Sequence, residues 1–118
     1  MTTNSDCLFC KIIQGELPSE QVYNDDQVVV FRDINPKAPV HLLMVPREHI
    51  ISLTELEEKH NNLIAHMMHL LPKIATQQGL HKGFRTVINT GPGGGQIVFH
   101  LHIHLLGGNS LGGAGFAE

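Results

Sequence analysis

The chain has 118 residues, of which 42% are hydrophobic and 16% are charged, and its formal net charge is -3. These values predict one globular domain spanning 1–118 and exclude a disordered chain. The slightly negative charge gives no reason to expect a nucleic acid or an anionic membrane as partner. No apolar run approaches the length of about 18 residues that a membrane span needs, and the N-terminus lacks a secretory pattern. We therefore expect a cytoplasmic protein.

The first half of the chain predicts a short helix and three strands. The stretch DCLFCKIIQGELPS predicts an N-terminal helix that Asp6 caps and that Gly15 and Pro18 end. QVYND and QVVVFRD predict two strands joined by the turn at 24–26. VHLLMVP predicts a third strand after the breaker-rich INPKAP.

The second half predicts a long helix and two further strands. Thr54 and Glu57 form a capping-box pattern that would open a helix through about residue 78, and Pro72 is expected to kink it. GFRTVINT and IVFHLHIHLLGG predict strands on either side of the glycine-rich GPGGGQ. The predicted fold class is α+β, a largely antiparallel five-stranded sheet with one long helix and a short N-terminal helix. We expect an ordered core over about 5–108 and a glycine-rich tail over 109–118.

The two cysteines, Cys7 and Cys10, lie in a CxxC pattern near the N-terminus. A disulfide across so short a loop stabilises little, and a redox CxxC ordinarily follows a strand that is missing here. The residues alone leave two interpretations open: unrelated thiols, or half of a metal site.

Three histidines, His100, His102 and His104, alternate with apolar residues in the segment HLHIHLL. In a strand they would share one face at a spacing of about 6.6 Å, which suits a single zinc ion poorly and favours a catalytic row. The preceding glycine-rich loop, 91–96, alone is best explained as a flexible hairpin loop. Placed before three imidazoles, its amides could instead hold a phosphoryl or nucleotidyl group that a ring nitrogen attacks.

The run from Gly95 to Leu106 resembles the signature of the histidine triad family, in which three histidines alternate with apolar residues. The segments CLFCKIIQGELPS, VVVFRDINPKAPVHLLMVPREHI, QQGLHKGFRTVIN and LLGG extend the resemblance to nearly the whole chain and are similar to the Hint branch of purine-nucleotide-binding hydrolases. The segment after Gly108 is the one part to which the resemblance is not extended.

The resemblance implies a catalytic role for each of four histidines. His102 would attack the α-phosphorus and form a nucleotidyl-histidine intermediate. His104 would hydrogen-bond the phosphoryl oxygens and support the leaving group. His100 would orient His102 through its backbone carbonyl, and His41 would be a supporting fourth histidine, although it could also be a solvated strand residue.

The resemblance also implies the substrate contacts. Phosphate contacts would come from Asn89 and from the amides around Gly95, Ile97 and Val98. Asp33 would accept hydrogen bonds from both ribose hydroxyls, or could instead cap a turn. The base would lie among Phe9, Phe31, Ile34 and Leu43. All of these except Ile34 could instead be ordinary core residues. Many family members have a polar or hydroxyl-bearing side chain where this chain has Ile97, so turnover or leaving-group preference should differ here.

The family resemblance further implies a structural zinc ion on Cys7, Cys10, His49 and His100, a closed Cys2His2 set. Relatives without the cysteines work without zinc, so the metal is plausible but not required. The histidines that match no motif are expected on the surface or in helix packing. They are His60, His66, His69 and His81.

The implied activity is that of a homodimeric purine nucleoside phosphoramidase that needs no catalytic metal. Its substrates would be AMP amides such as adenosine phosphoramidate and AMP-lysine, together with aminoacyl-adenylates. The LLGG ending favours this branch over a dinucleoside polyphosphate hydrolase, which is one alternative. The others are a dimeric nucleotide-binding interaction or sensor module with incidental slow hydrolysis, and a zinc-stabilised structural protein with an inactive site.

Overall fold

The computed structural model describes residues 6–108, so the predicted tail at 109–118 lies outside the described residues. The helices and strands follow one another in the order α1 (Leu8–Ile13), β1 (Gln21–Asn24), β2 (Val28–Arg32), β3 (Val40–Pro46), α2 (Asn61–Gln77), β4 (Arg85–Val87) and β5 (Ile103–Gly107). Short 3-10 turns occupy Leu53–Glu55, Glu58–His60 and Pro92–Gly94.

The five strands form one sheet in the order β1-β2-β3-β5-β4, and every neighbouring pair is antiparallel. In the β3–β5 ladder, His41 pairs with Leu106 and Leu43 pairs with His104. This sheet, with one long and one short helix, confirms the predicted fold class.

Each face of the sheet is covered by a different helix, and this explains why β2 is apolar at consecutive positions. Val28 and Val30 belong to the larger buried cluster, which includes Met67 and Ile74 of α2. Val29 and Phe31 belong to a second cluster, which contains the buried residues of α1. Side chains alternate along a strand. The polar residues of β3 and β5 alternate with the residues that face α2, so they lie on the face that α1 covers.

The cap of α1 differs from the prediction. Cys7, not Asp6, occupies the N-cap, and its sulfur accepts a hydrogen bond from the backbone N–H of Cys10 at 3.4 Å. The helix ends before Gly15, whose φ of 81° is left-handed and therefore favours glycine. Both cysteine side chains are thus turned into the interior next to the sheet.

The long helix starts later than predicted, and the Thr54–Glu57 capping box is not formed. Ser52 caps the first 3-10 turn through the N–H of Thr54. The N–H of Glu57 instead donates to Nδ1 of His60 at 3.0 Å. These two local caps favour short turns over 53–60, and the α-helix begins at Asn61 and continues past Pro72 to Gln77.

The last strand is also shorter than predicted, because its first half leaves the sheet. The N–H of Leu101 donates to the carbonyl oxygen of Ile50 at 2.6 Å, outside any ladder, and the strand begins at Ile103. Phe99, in the part that leaves the sheet, is 45% exposed, whereas Leu101 is buried. Among the residues that the structure describes, no helix combines the length and apolarity that a bilayer crossing requires.

Candidate active site and metal centre

The imidazoles of His102 and His104 lie side by side on the α1 face of the sheet. Their ring centroids are 5.0 Å apart, and the ring of Phe9 stands edge-on to His102 at 5.0 Å. The backbone bends at 98–100, so the three triad residues do not form one regular strand. His102 is 6% exposed and is wedged between α1 and the neighbouring triad ring.

A backbone carbonyl fixes the tautomer of His102. Its Nδ1 lies 2.7 Å from the carbonyl oxygen of His100, which can only accept a hydrogen bond. Nδ1 therefore carries the proton, and Nε2 of the neutral ring keeps an unshared electron pair. This arrangement prepares Nε2 of His102 as a nucleophile or base.

A second chain of hydrogen bonds fixes the tautomers of His41 and His104. The backbone N–H of Lys37 donates to Nδ1 of His41 at 3.0 Å, so the proton of the neutral ring is on Nε2. That Nε2 lies 2.9 Å from Nδ1 of His104 and donates to it. The proton of His104 is consequently on Nε2, where it can be donated to a bound group.

Burial keeps these histidines neutral. It lowers the pKa of His104 to about 4, and the neighbouring imidazoles of His102 and His41 act in the same direction. Burial also lowers the pKa of His102 and of His41, although Asp33 partly opposes it in both cases. A neutral imidazole is the nucleophilic form, so the environment favours the reactive state of His102 near neutral pH.

A cleft of about 770 Å³ opens in front of His102 and His104, a volume within the range of small-molecule sites. His41 also lines it, whereas His100 does not. Every residue that the resemblance implied for substrate binding borders this cleft. They are Phe9, Phe31, Asp33, Ile34, Leu43, Asn89, Gly95, Ile97 and Val98.

Several of these residues also have the structural roles that were weighed as alternatives. Oδ1 of Asp33 accepts a hydrogen bond from the N–H of Asn35 at 2.8 Å, a turn cap, while Oδ2 lies 3.5 Å from His41 Nε2. Phe9 and Phe31 are buried and pack edge to face at 5.6 Å. Their position at the wall of the cleft is compatible with both core packing and contact with a planar ligand.

The glycine-rich loop closes one side of the cleft. The side-chain amide of Asn89 donates to the carbonyl oxygen of Gly94 at 2.9 Å. Gly95 has a φ of 84°, a left-handed conformation that turns the chain toward Ile97 and Val98. Ile97 is 87% exposed at the rim of the cleft, so its side chain contributes little to packing.

The four residues expected to bind zinc converge behind the triad. Their ligand atoms all lie within 4.8 Å of one another. Nδ1 of His100 is 3.2 Å from Cys7 Sγ and 3.6 Å from Cys10 Sγ, and Cys10 Sγ is 3.4 Å from His49 Nδ1. Tetrahedral zinc, with Zn–S of about 2.3 Å and Zn–N of about 2.0 Å, places sulfur and nitrogen about 3.5 Å apart. The donor set and its spacing therefore fit zinc.

The surroundings of His100 fit the same interpretation. Its Nε2 donates to the carbonyl oxygen of Pro46 at 2.8 Å, which leaves Nδ1 unprotonated and directed at the two sulfurs. Such a carbonyl partner commonly orients a metal-binding histidine. Burial lowers the pKa of His100 to about 4, which also favours the neutral ligand form.

Two of the histidines without a motif have defined structural roles. His60, expected on the surface or in helix packing, is 4% exposed, and its Nε2 lies 3.0 Å from Glu48 Oε2. His66 contacts Asp25 at 2.6 Å and joins α2 to the β1–β2 turn. His69 and His81 are exposed, as predicted. The role of His60 was missed because nothing in the sequence links it to Glu48.

Comparison with known proteins shows similarity along almost the whole chain. The family profile described as "Scavenger mRNA decapping enzyme C-term binding" matches residues 6–115. An uncharacterized HIT-like protein of Synechococcus elongatus is 52% identical over 108 residues, covering 92% of this chain and 95% of the relative. A "14 kDa zinc-binding protein" of Zea mays is 44% identical over 110 residues, covering 92% of this chain and 86% of the relative.

A further relative and a solved structure agree with this picture. "Adenylylsulfatase HINT1" of Arabidopsis thaliana is 43% identical over 111 residues, covering 92% of this chain and 76% of the relative. The structure of a histidine triad protein from Clostridium difficile superposes with a TM-score of 0.89 at 45% identity. The superposition covers 93% of this chain and 96% of the other.

Proposed function

The chain belongs to the histidine triad family, and from that premise we propose that it is a purine nucleoside phosphoramidase of the Hint branch. Its substrates would be AMP amides, such as adenosine phosphoramidate and AMP-lysine, and aminoacyl-adenylates. The name of the Arabidopsis thaliana relative, an adenylylsulfatase, supports an adenylyl group as the part that is transferred.

One observation carries the proposal. The Nδ1–H of His102 donates to the carbonyl oxygen of His100, which leaves Nε2 with its electron pair. His102 also lines a nucleotide-sized cleft. The proton on the neighbouring His104 is fixed on Nε2 by the chain from Lys37 through His41. A nucleophile and a hydrogen-bond donor are thus prepared side by side, as group transfer at phosphorus requires.

In the first step, Nε2 of His102 attacks the α-phosphorus, and the bond from phosphorus to the leaving nitrogen breaks. The Nε2–H of His104 donates a hydrogen bond that stabilises the leaving nitrogen, and the departing amine takes its proton from solvent water. The backbone amides at Ile97 and Val98 stabilise charge on the non-bridging oxygens. The product of this step is an enzyme with AMP joined to His102, and the amine is released.

In the second step, water attacks the same phosphorus and the bond to His102 breaks. The proton that the attacking water loses returns to solvent, while Nε2–H of His104 keeps its hydrogen bond to the phosphoryl group. The released product is AMP, and His102 returns to its starting tautomer. Neither step requires a metal ion in the cleft.

Substrate binding follows from the chemistry of the cleft wall. The carboxylate of Asp33 would accept hydrogen bonds from both ribose hydroxyls. Phe9, Phe31 and Leu43 offer an apolar slot for the base, and the exposed Ile34 would close over it. Asn89 and the amides around Gly95 would hold the phosphate.

Zinc is part of the proposal as a structural ion on Cys7, Cys10, His49 and His100. When bound, it would fix α1 and the segment before β5 by coordination. The name of the Zea mays relative supports zinc binding. The chain's own residues perform the reaction, while this cluster holds the carbonyl of His100 in place behind the nucleophile.

A homodimer also belongs to the proposal. β4 is an edge strand of three residues, and Phe84 next to it is 40% exposed. Met68 of α2 is 42% exposed. Exposed apolar side chains, together with a strand edge that has no neighbouring strand among the described residues, favour association with a second copy.

Hydrolysis of adenosine 5'-phosphoramidate by the wild type and by His102→Ala tests the proposal. We expect turnover in the wild type and at least about a thousandfold less in the variant, since the step through the nucleophile is lost. His69→Ala, at an exposed position outside the cleft, is the matched control and should retain full activity.

Other outcomes would favour the alternatives. Binding of AMP without turnover by either protein would overturn the enzyme proposal and favour a nucleotide-binding interaction module. Faster cleavage of diadenosine tetraphosphate than of the phosphoramidate would favour a dinucleoside polyphosphate hydrolase.

A further inference from the structure

Gln96 is a buried polar side chain that none of the roles above uses. It is 5% exposed, and its amide forms three hydrogen bonds, all to backbone atoms. Oε1 accepts from the N–H of Gly91 at 2.8 Å. Nε2 donates to the carbonyl oxygens of Ile51 at 2.7 Å and of Val98 at 3.0 Å.

These contacts occupy both amide donors and the amide oxygen, so the side chain is committed to the protein rather than to a ligand. The loop that it contacts consists largely of glycine, which has no side chain to hold its conformation. Gln96 bonds to Gly91, at the start of this loop, and to Val98, just after the loop. It therefore joins the two ends of the segment whose amides would face a phosphate.

The third hydrogen bond connects the loop to a backbone segment that also binds the chain before β5. Ile51 belongs to the segment 46–51, which also holds the chain before β5. The carbonyl oxygen of Ile50 accepts from the N–H of Leu101, and that of Pro46 accepts from Nε2 of His100. The glycine-rich loop and the chain before β5, which supports the nucleophile, are thus both hydrogen-bonded to the short backbone segment 46–51.

We propose that Gln96 is a positioning residue that sets the distance and orientation of the phosphate-binding amides relative to His102. The inference rests on the function proposed above. Without the Gln96 amide, the loop loses the hydrogen bonds at Gly91 and Ile51 that fix it relative to 46–51. A displacement of about 1 Å between a nucleophile and its oxyanion donors is enough to impair group transfer.

The test compares the binding of AMP and of adenosine by calorimetry. Adenosine has the base and ribose but no phosphate, so its affinity is insensitive to the position of the loop. Gln96→Met keeps the length of the side chain and removes all three hydrogen bonds. Gln96→Glu keeps the acceptor for Gly91 and faces the carbonyl oxygens of Ile51 and Val98 with a carboxylate that donates nothing.

We expect both variants to lose about tenfold in affinity for AMP, a factor that corresponds to about 1.4 kcal/mol, while adenosine binds as to the wild type. Ser52→Ala is the matched control. Ser52 is also buried and adjoins Ile51, but its hydroxyl bonds within 52–54. Its loss should lower the melting temperature without changing the affinity for either ligand.

The outcomes separate this inference from the proposed function. Wild-type affinity for AMP in the folded variants, or an equal loss for AMP and adenosine, overturns the positioning role alone. A wild type that binds neither ligand overturns the proposed function and the inference with it. If Gln96→Met does not fold, Gln96→Glu decides between the same outcomes.

Discussion

At the scale of single residues, the site depends on which nitrogen of each ring carries a proton. The sequence predicted which histidines are near each other, because alternation in a strand and the family motif both place them together. It did not predict that the Lys37 amide fixes the tautomers of His41 and His104, because a backbone contact leaves no trace in residue identity. Gln96 was missed for a related reason, since its partners are all backbone atoms.

Ile97 is the residue at which a single substitution should improve the site. Its side chain is 87% exposed at the rim of the cleft, so a smaller residue costs little stability. In Ile97→Ser, the hydroxyl could donate to the leaving group, and we expect kcat for adenosine 5'-phosphoramidate to rise by about tenfold. Steady-state kinetics of the two proteins measure this change.

Ile97→Ala provides the comparison, because it removes the same apolar side chain without supplying a hydroxyl. It should leave kcat near the wild-type value. An equal gain in both variants would attribute the effect to relief of crowding rather than to the hydroxyl.

At the scale of elements, the chain order and identity of all the strands and helices were predictable from apolar patterning. The bounds of β3 were predicted as well, whereas the starts of α2 and β5 were not. α2 starts at Asn61 because Ser52 and His60 stabilise two short turns before it, and these contacts compete with the capping box that the sequence suggested. β5 starts at Ile103 because Leu101 bonds to Ile50 instead of to a neighbouring strand. In both places a specific local hydrogen bond outweighed the repeating pattern.

The contact between the β1–β2 turn and α2 should make stability depend on pH. Burial alone would raise the pKa of Asp25, but hydrogen bonds from Tyr23, His66 and two backbone amides outweigh it and hold the pKa at about 2. This is below the ordinary value of 3.8, so the stabilisation is present above about pH 4 and is lost as the pH falls toward 2. It amounts to about 2 kcal/mol.

Asp25→Asn tests this contribution. Its carbonyl can still accept from the amides of Gln27 and Val28, but the charge is gone. In urea unfolding we expect the variant to be less stable by up to about 2 kcal/mol at pH 6, with the difference shrinking toward pH 2. A difference that stays constant across this range would contradict the electrostatic explanation.

The four candidate zinc ligands connect α1, the segment after β3 and the start of the triad. We expect about one zinc ion per chain in the purified wild type by elemental analysis and far less in Cys10→Ser. Loss of the ion should lower the melting temperature by about 5 °C or more, because the metal stabilises only the folded arrangement.

His69→Ala again serves as the comparison, since it removes an exposed imidazole outside the cluster. It should retain both zinc and melting temperature. Equal zinc content in the wild type and Cys10→Ser would rule out the proposed ligand set.

At the scale of the whole molecule, both faces of the sheet are covered within one chain, whereas the β4 edge has no neighbouring strand among the described residues. We expect sedimentation equilibrium to give twice the 13.0 kDa of a single chain. Phe84→Glu should shift the protein toward the monomer, because a charge at this edge opposes burial of the apolar side chain.

Leu53→Glu is a matched variant, because Leu53 is 40% exposed, like Phe84, but lies in a 3-10 turn away from the sheet edge. It should leave the dimer intact. If Phe84→Glu also sediments as the wild type does, the interface is elsewhere; if the wild type is a monomer, the dimer proposal fails.

The backbone anchors of the site have an evolutionary consequence. The proton positions of His102, His41 and His104 are set by one main-chain carbonyl, at His100, and one main-chain N–H, at Lys37. Every amino acid supplies the carbonyl, and every one except proline supplies the N–H. The residue at position 37 can therefore be any of nineteen of the twenty amino acids without loss of the backbone N–H that fixes the tautomers of His41 and His104. A lineage could change the rim of this cleft, and with it the substrate, while the arrangement of protons behind it stays the same.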